Sequence, residues 1–258
     1  MNFTIGADPE LFLMDRSGKY ISAVGLIGGS KDMPRPILTQ GFGLQEDNVA
    51  VEFNIPPSDN RETFIQNITA ALHFIEAEVA EKQLLMAIHS SAHFARDQLR
   101  SPAAQNFGCI PDYNAWTFQL NPPLPTHSDS TLRTSGGHVH VGTTVSMWKA
   151  VRAMDLFQGC PSILKDPDLE RRHLYGKAGA CRPTDWGFEY RVLSNFWLKH
   201  TDYTAWVYDT TERALLFALE TQEDDRTFLA EDQNAICETI NEGNVDALAE
   251  LDKKYQLL

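Results

Sequence analysis

At residues 136–142 the chain reads Gly-Gly-His-Val-His-Val-Gly. Successive side chains of a β-strand point to opposite faces, so His138 and His140 project together while the two valines face the other side. Glycines at both ends of the stretch allow close approach by another backbone or by a bound molecule. Because two imidazoles share one face of an otherwise apolar strand, the stretch predicts a sheet with one apolar face and one chemically active face.

Other strand-like segments carry polar residues at the same spacing of two, Asp8 with Glu10 and Glu189 with Arg191. Glu52 lies between two apolar residues of a further strand, so we expect it to face the same side. Neighbouring strands are about 4.8 Å apart, which would let these groups converge on bound ions. A face crowded with carboxylates is unfavourable without counter-ions. Two simpler interpretations stay open: a solvated turn for Asp8 and Glu10, and a cross-strand ion pair for Glu189 and Arg191.

Hydrophobic spacing predicts the rest of the fold. Period-two patterns predict strands at residues 3–5, 11–14, 20–24, 49–55, 84–89, 138–143 and 188–194. Helical spacing predicts helices at about 60–82, 146–157, from 201 onward and at 244–255, the first one capped by Asp59 and Glu62. Residues 101–136 are rich in Pro, Asn, Ser and Thr and predict a long irregular connection. Together these elements favour a single α+β domain over residues 1–258, with a mainly antiparallel sheet, helices on one face and a helical C-terminal part from about residue 201.

Composition excludes several classes of protein. The 258 residues include 35 acidic and 22 basic side chains, a formal net charge of −13. This charge repels phosphates, so neither general nucleic-acid binding nor membrane binding is expected. The N-terminus lacks a basic segment followed by an apolar core, and no stretch reaches the ~20 apolar residues that span a bilayer, which favours a cytoplasmic location. Four scattered cysteines without a C-x-x-C pair argue against a zinc knuckle.

Several familiar motifs of nucleotide-binding proteins and hydrolases are absent. The chain has no P-loop, no dinucleotide fingerprint, no H-E-x-x-H motif and no G-x-S-x-G elbow. Residues 171–191, however, hold two acidic side chains and five basic ones: Arg171, Arg172, Lys177, Arg182 and Arg191. Guanidinium groups bind phosphate through a planar fork, and Mg²⁺ held by carboxylates neutralises phosphate oxygens. The segment and the acidic face together favour phosphoryl transfer.

Four motifs, in their order along the chain, resemble the glutamine synthetase and glutamate-cysteine ligase superfamily, especially its small phage-associated branch of carboxylate-amine ligases. The motifs are Gly6-Ala-Asp-Pro-Glu-Leu-Phe12, Val51-Glu-Phe-Asn54, the stretch at 136–142 and Phe188-Glu-Tyr-Arg-Val-Leu-Ser-Asn195. The resemblance spans about residues 5–200. It implies a glutamine synthetase-like catalytic domain, in which a curved, mainly antiparallel sheet carries helices on its convex face and the active site on its concave face.

The resemblance also implies a set of metal ligands. In that superfamily two or three Mg²⁺ or Mn²⁺ ions are held by the two acidic strands, by the first histidine and by the glutamate of the E-x-R motif. Carried over residue by residue, these ligands are Glu10, Glu52, His138 and Glu189. Asp8, which stands where glutamine synthetases have glutamate, is added to them.

Nucleotide and substrate contacts follow from the same resemblance. His140 would approach an ATP phosphate, and Arg182 and Arg191 would stabilise the transferring phosphoryl group beside the catalytic Glu189. Lys177 is a further nucleotide contact. The expected substrate contacts are Arg133, Asp112 and Asn114.

The implied activity is ATP-dependent formation of an amide or peptide bond. ATP phosphorylates a carboxylate, and an amine attacks the resulting acyl phosphate. Small-molecule or peptide carboxylates and amines are the implied partners, in the host cytoplasm if the protein is phage-encoded. Three alternatives stay open: a metal-dependent hydrolase using His138 and His140, a noncatalytic virion or binding protein on the same fold, and a phosphotransferase. The identity of the substrates and the oligomeric state are also left open.

Overall fold

The computed structural model describes residues 3–105, 112–122 and 131–258. In these ranges the chain forms the following strands: β1 Thr4–Ala7, β2 Glu10–Met14, β3 Tyr20–Ile21, β4 Arg35–Pro36, β5 Gly43–Asp47, β6 Ala50–Ser58, β7 Leu85–Ala87, β8 Ser91–His93, β9 Tyr113–Asn114, β10 Gln119–Leu120, β11 Leu132–Thr134, β12 Val139–Gly142, β13 Ala180–Thr184 and β14 Gly187–Tyr190. The α-helices are α1 Arg61–Glu81, α2 Pro102–Gln105, α3 Met147–Met154, α4 Cys160–Ser162, α5 Leu169–Leu174, α6 Thr201–Glu220, α7 Gln233–Glu242 and α8 Val245–Tyr255. A π-helical turn, Asp155–Gly159, joins α3 to α4.

One large antiparallel sheet organises the molecule. Its main path runs β10-β9-β13-β14-β12-β1-β6-β2-β3, with β5 paired to β6, β4 to β5 and β7 to β2. Strands β8 and β11 form a separate pair. The strand that carries the histidines, β12, lies between β1 and β14, so the first acidic motif and the E-x-R motif are its direct neighbours. The prediction of a mainly antiparallel α+β fold is confirmed.

Helices cover the apolar face of this sheet. Helix α3 packs against β13 and β14, and α6 packs against both α1 and α3. Val139, Val141 and Phe188 are buried, and the alternation of side chains leaves His140 and Glu189 on the opposite face. Helix α1 buries a single stripe at a spacing of three to four residues: Phe64, Ile68, Ala71, Ile75 and Val79. The polar face of the sheet is therefore available for chemistry.

Several local predictions need correction. Helix α1 is capped by Asn60, whose Oδ1 accepts a hydrogen bond from the backbone N–H of Thr63 at 2.9 Å, and not by Asp59. The last predicted strand ends at Tyr190 instead of residue 194, because residues 195–199 form a 3₁₀ helix. Strand β5 has no period-two pattern and was not predicted, although it pairs with β6 along its whole length.

The predicted irregular connection at 101–136 contains regular elements where the structure describes it: helix α2, the β9–β10 hairpin and β11. Residues 106–111 and 123–130 lie outside the described ranges. Cys160 and Cys181 are buried free thiols and Cys237 is a half-buried one, while Cys109 lies outside the described ranges. No helix within the described ranges is long and apolar enough to cross a membrane.

Candidate active site

Four predicted residues from three segments meet on the polar face of the sheet. We call Asp8, His138, His140 and Glu189 the histidine cluster. Oδ1 of Asp8 lies 3.0 Å from Nε2 of His140 and 3.3 Å from Nδ1 of His138, and the same Nδ1 lies 3.3 Å from Oε1 of Glu189. His140 and Glu189 are cross-strand partners on β12 and β14, so strand pairing places them side by side.

Glycine at position 136 makes room for this cluster. A side-chain carbon at Gly136 would collide with the imidazole of His138. Gly136 also fixes the first acidic strand to the histidine strand, because its backbone N–H donates to Oε2 of Glu10 at 2.8 Å and its carbonyl accepts from the N–H of Glu10 at 2.9 Å. The glycine of the predicted motif therefore has a steric role and a bonding role.

The charge on Asp8 is strongly favoured by its surroundings. Burial alone would raise the pKa of Asp8, but the nearby imidazoles of His140 and His138 outweigh it and hold the pKa well below the usual range. Oδ1 of Asp8 is buried and has no well-aligned hydrogen-bond partner among the described residues. The cluster thus holds a buried carboxylate oxygen that lies close to two imidazole nitrogens but makes no hydrogen bond of good geometry with them.

A second group of carboxylates lies beside the first. We call Glu10, Asp47 and Glu52 the acidic cluster; one oxygen from each lies within 4.8 Å of the other two. Glu10 and Glu52 are cross-strand partners on β2 and β6, and Asp47 reaches them from the β5–β6 hairpin. Asp47 is not among the residues that the sequence predicts for the site. Its only sequence signal is its place just before the acidic strand, in a segment that resembles a solvated turn.

Burial and neighbouring negative charges raise the pKa values of both glutamates in this cluster. Burial and then the charge of Asp47 raise the pKa of Glu10 to about 8. Burial, followed by the charges of Asp8, Glu10 and Asp47, raises the pKa of Glu52 well above its usual range. Because Asp8 acts on both glutamates, the two clusters form one electrostatic unit. A bound cation would relieve this repulsion.

Two arginines enclose Glu189. Nη1 of Arg182 lies 2.9 Å from Oε2 of Glu189, and Nη1 of Arg191 donates to Oε1. Arg182 comes from β13 and is the cross-strand partner of Glu189. Nε of Arg191 also lies 3.4 Å from Oδ2 of Asp112. The structure therefore brings the two predicted phosphate-binding arginines onto a single predicted metal ligand.

Tyr175, which was not predicted, completes this arrangement. It follows α5, and its hydroxyl lies 3.1 Å from Nε2 of His138 and accepts a hydrogen bond from Nη2 of Arg191. No motif points to it, because its role depends on how α5 returns to the sheet.

The remaining predicted residues occupy different positions. Asp112 and Asn114 lie at β9, between β10 and β13. Asn114 accepts from the N–H of Trp116 at 2.8 Å, and Asp112 accepts from Asn121 at 2.8 Å. Lys177 is exposed in the turn before β13. Arg133 is buried and donates to the carbonyls of Leu132 and Ala104 and to Oδ1 of Asn48. Its recorded partners are structural, and its substrate contact stays a prediction.

Two arginines of the basic segment are committed to backbone contacts. Arg171 is buried and donates to the carbonyls of Ser135, Val192 and Leu193 at 2.7–2.8 Å. Arg172 is buried as well and donates to backbone carbonyls of Ile240 and Asp166. Both arginines therefore hold the backbone around the site, and the charge available to a ligand comes from the other basic residues of the segment.

The donor atoms fit a hard divalent cation. They are carboxylate oxygens and imidazole nitrogens, without a thiolate, which suits Mg²⁺ or Mn²⁺. The buried Oδ1 of Asp8, which lacks a well-aligned hydrogen bond, and the raised pKa values of Glu10 and Glu52 are the structural signs that these donors suit an ion. Residues of both clusters would hold it.

Part of the chain matches a known protein family. Residues 131–254 match the family model described as phage phiEco32-like COOH.NH2 ligase-type 2, a region that includes His138, His140, Arg182, Glu189 and Arg191. The predicted resemblance to carboxylate-amine ligases is confirmed over these residues. No curated protein matches the chain. A solved crystal structure described as a novel glutamine synthase homolog is similar over 99% of this chain and 67% of its own, with 11% identity and a TM-score of 0.41.

Proposed function

We propose that the protein is an ATP-dependent carboxylate-amine ligase that forms an amide or peptide bond through an acyl phosphate. The observation that carries the proposal is the convergence of two carboxylate clusters and two arginines on one face of the sheet. The family match over residues 131–254 supports the ligase class. A small-molecule or peptide carboxylate and an amine are the substrates, and ATP is the phosphoryl donor.

The two clusters would bind the nucleotide together with divalent cations. Glu10, Asp47 and Glu52 would hold one cation, and Asp8, His138 and Glu189 another, with His140 reaching an ATP phosphate. Mg²⁺ or Mn²⁺ held there would neutralise phosphate charge that the carboxylates would otherwise repel.

The protein's own contribution to the first step is charge stabilisation. A carboxylate oxygen attacks the γ-phosphorus of ATP, the bond to the β-phosphate oxygen breaks, and ADP leaves. Arg182 and Arg191 each contact one oxygen of Glu189. From there their planar guanidinium groups can donate hydrogen bonds to the equatorial oxygens of the transferring phosphoryl group. In the second step the amine attacks the acyl carbon, phosphate leaves, and the amine proton passes to a nearby carboxylate.

Further contacts to nucleotide or substrate are proposed for Lys177, Arg133, Asp112 and Asn114.

A screen for ADP release tests this function directly. Purified protein with Mg²⁺ and ATP is incubated with pooled carboxylates crossed with pooled amines. We expect ADP release that needs both pools and a product whose mass equals acid plus amine minus water. Cleavage of a pooled peptide without ATP would instead support the metal-dependent hydrolase, and ADP release with a phosphorylated acceptor but no amide would support the phosphotransferase.

ATP binding should require a divalent cation, because the cation would link the phosphate oxygens to the carboxylate oxygens of the two clusters, and ionised carboxylates have no proton to donate to phosphate. We expect the affinity for ATP, measured by calorimetry, to fall about 10-fold or more when Mg²⁺ is replaced by EDTA. Adenosine, which carries no phosphate, is the matched ligand and should bind equally in both buffers. Equal ATP affinity in EDTA would contradict the role of the clusters as cation ligands.

A further inference from the structure

Tyr175 connects the two kinds of residue that the proposed reaction needs. Its hydroxyl lies 3.1 Å from Nε2 of His138, a proposed cation ligand, and accepts from Nη2 of Arg191, a proposed phosphate contact. The other ring nitrogen of His138, Nδ1, faces Asp8 and Glu189 at 3.3 Å each. The imidazole is thus held between carboxylates on one side and a phenol on the other.

From this geometry we propose that Tyr175 is a positioning residue for His138 and Arg191, an inference that rests on the proposed function. A guanidinium can only donate hydrogen bonds, whereas a phenolic hydroxyl has two lone pairs and one proton. The hydroxyl of Tyr175 can therefore accept from Arg191 and from an N–H at Nε2 of His138 together. When a cation lies between Nδ1 and the carboxylates, Nδ1 must offer it a lone pair, so the imidazole proton stands at Nε2 and faces the hydroxyl.

The ring of Tyr175 is held by contacts that do not involve its hydroxyl. The guanidinium of Arg171 lies over the ring at 5.3 Å, and that of Arg191 lies over it at 5.4 Å. Arg171 is itself fixed by three backbone carbonyls. Phenylalanine at this position keeps these contacts, so Tyr175→Phe removes the hydroxyl with little change in packing.

The sheet provides a matched control. The hydroxyl of Tyr190 is also buried, on β14 next to Glu189, but it donates to Oδ1 of Asp155 at 2.8 Å on the helix-covered side. Tyr190→Phe deletes one buried hydroxyl from the same sheet without touching His138 or Arg191. A general loss of stability should therefore appear in both variants, whereas a positioning defect should appear in Tyr175→Phe alone.

The test measures Mn²⁺ affinity by calorimetry in wild type, Tyr175→Phe, Tyr190→Phe, His138→Asn and the double variant of Tyr175→Phe with His138→Asn. We expect Tyr175→Phe to weaken Mn²⁺ binding about 10-fold and Tyr190→Phe to leave it unchanged. In the His138→Asn background the same change should weaken binding far less, because the hydroxyl acts through the imidazole.

The outcomes separate this inference from the proposed function. Wild-type Mn²⁺ affinity in Tyr175→Phe, or an equal loss in Tyr190→Phe, would overturn the positioning role. If Tyr175→Phe weakens Mn²⁺ binding as expected but the wild-type protein forms no amide, only the ligase proposal is overturned. Wild-type protein that binds no Mn²⁺ would overturn both.

Discussion

Glu189→Gln should reduce ADP formation at least about 1000-fold, because the change removes the carboxylate charge at the centre of the site while keeping its shape. The contacts of Glu189 give a second reason to expect a large loss of activity, apart from cation binding. Both oxygens of Glu189 contact arginines, so the neutral amide also leaves Arg182 and Arg191 without their shared counter-charge. The measurement is steady-state ADP release with the substrate pair found in the screen.

Stability must be followed in the same experiment. Arg191 is buried while Arg182 is partly exposed, so breaking this group should cost about 3 kcal/mol of unfolding free energy and lower the melting temperature. Circular dichroism at the assay temperature checks that the variant is folded. Glu78→Gln is the matched control, since it removes a carboxylate paired with Arg35 at 2.7 Å outside the site. It should keep wild-type turnover. Near-wild-type ADP release by folded Glu189→Gln would mean that Glu189 is only a structural partner of its arginines.

The parts of the fold that the sequence predicts are those with strictly local patterns. Strand β12 and helix α1 show their periodicity within a few residues, and the histidines fall on one face because alternation is a property of any strand. Pairing of β12 with β1 and β14 is not local. The sequence predicts only that the polar pairs could converge, and the register of His140 with Glu189 is what brings two of those motifs together.

The parts that were missed depend on long-range packing. Asp47 lies in an acidic hairpin whose pattern is typical of a solvated turn, and only the pairing of β5 with β6 brings it to Glu10. Arg171 and Arg172 were counted as surface charge, because long basic side chains are seldom buried. Their burial depends on backbone carbonyls that are left free where the chain turns around the site. Charge counted along the sequence therefore overestimates the surface that a phosphate can reach.

The arginines and the first histidine distinguish a ligase from a hydrolase. In a ligase, Arg191→Lys and Arg182→Lys should slow ADP formation about 100-fold or more, because lysine supplies charge without the planar fork that holds two phosphate oxygens. At position 191 the change also removes the hydrogen bond to Tyr175 and the contact with Asp112. Mn²⁺ affinity should change much less, since neither arginine is a cation ligand.

His138→Asn should give the opposite pattern, a large loss of Mn²⁺ affinity with turnover falling in parallel. Arg35→Lys, at an arginine paired with Glu78 away from the site, is the matched control and should behave as wild type in both assays. A hydrolase built on His138 and His140 would lose activity with His138→Asn, work without ATP and tolerate lysine at both arginines. Assays of the four variants with and without ATP therefore separate the two classes. ATP-independent turnover that survives Arg191→Lys and Arg182→Lys would rule out the ligase, because the phosphoryl-transfer step is the only one that needs the forks.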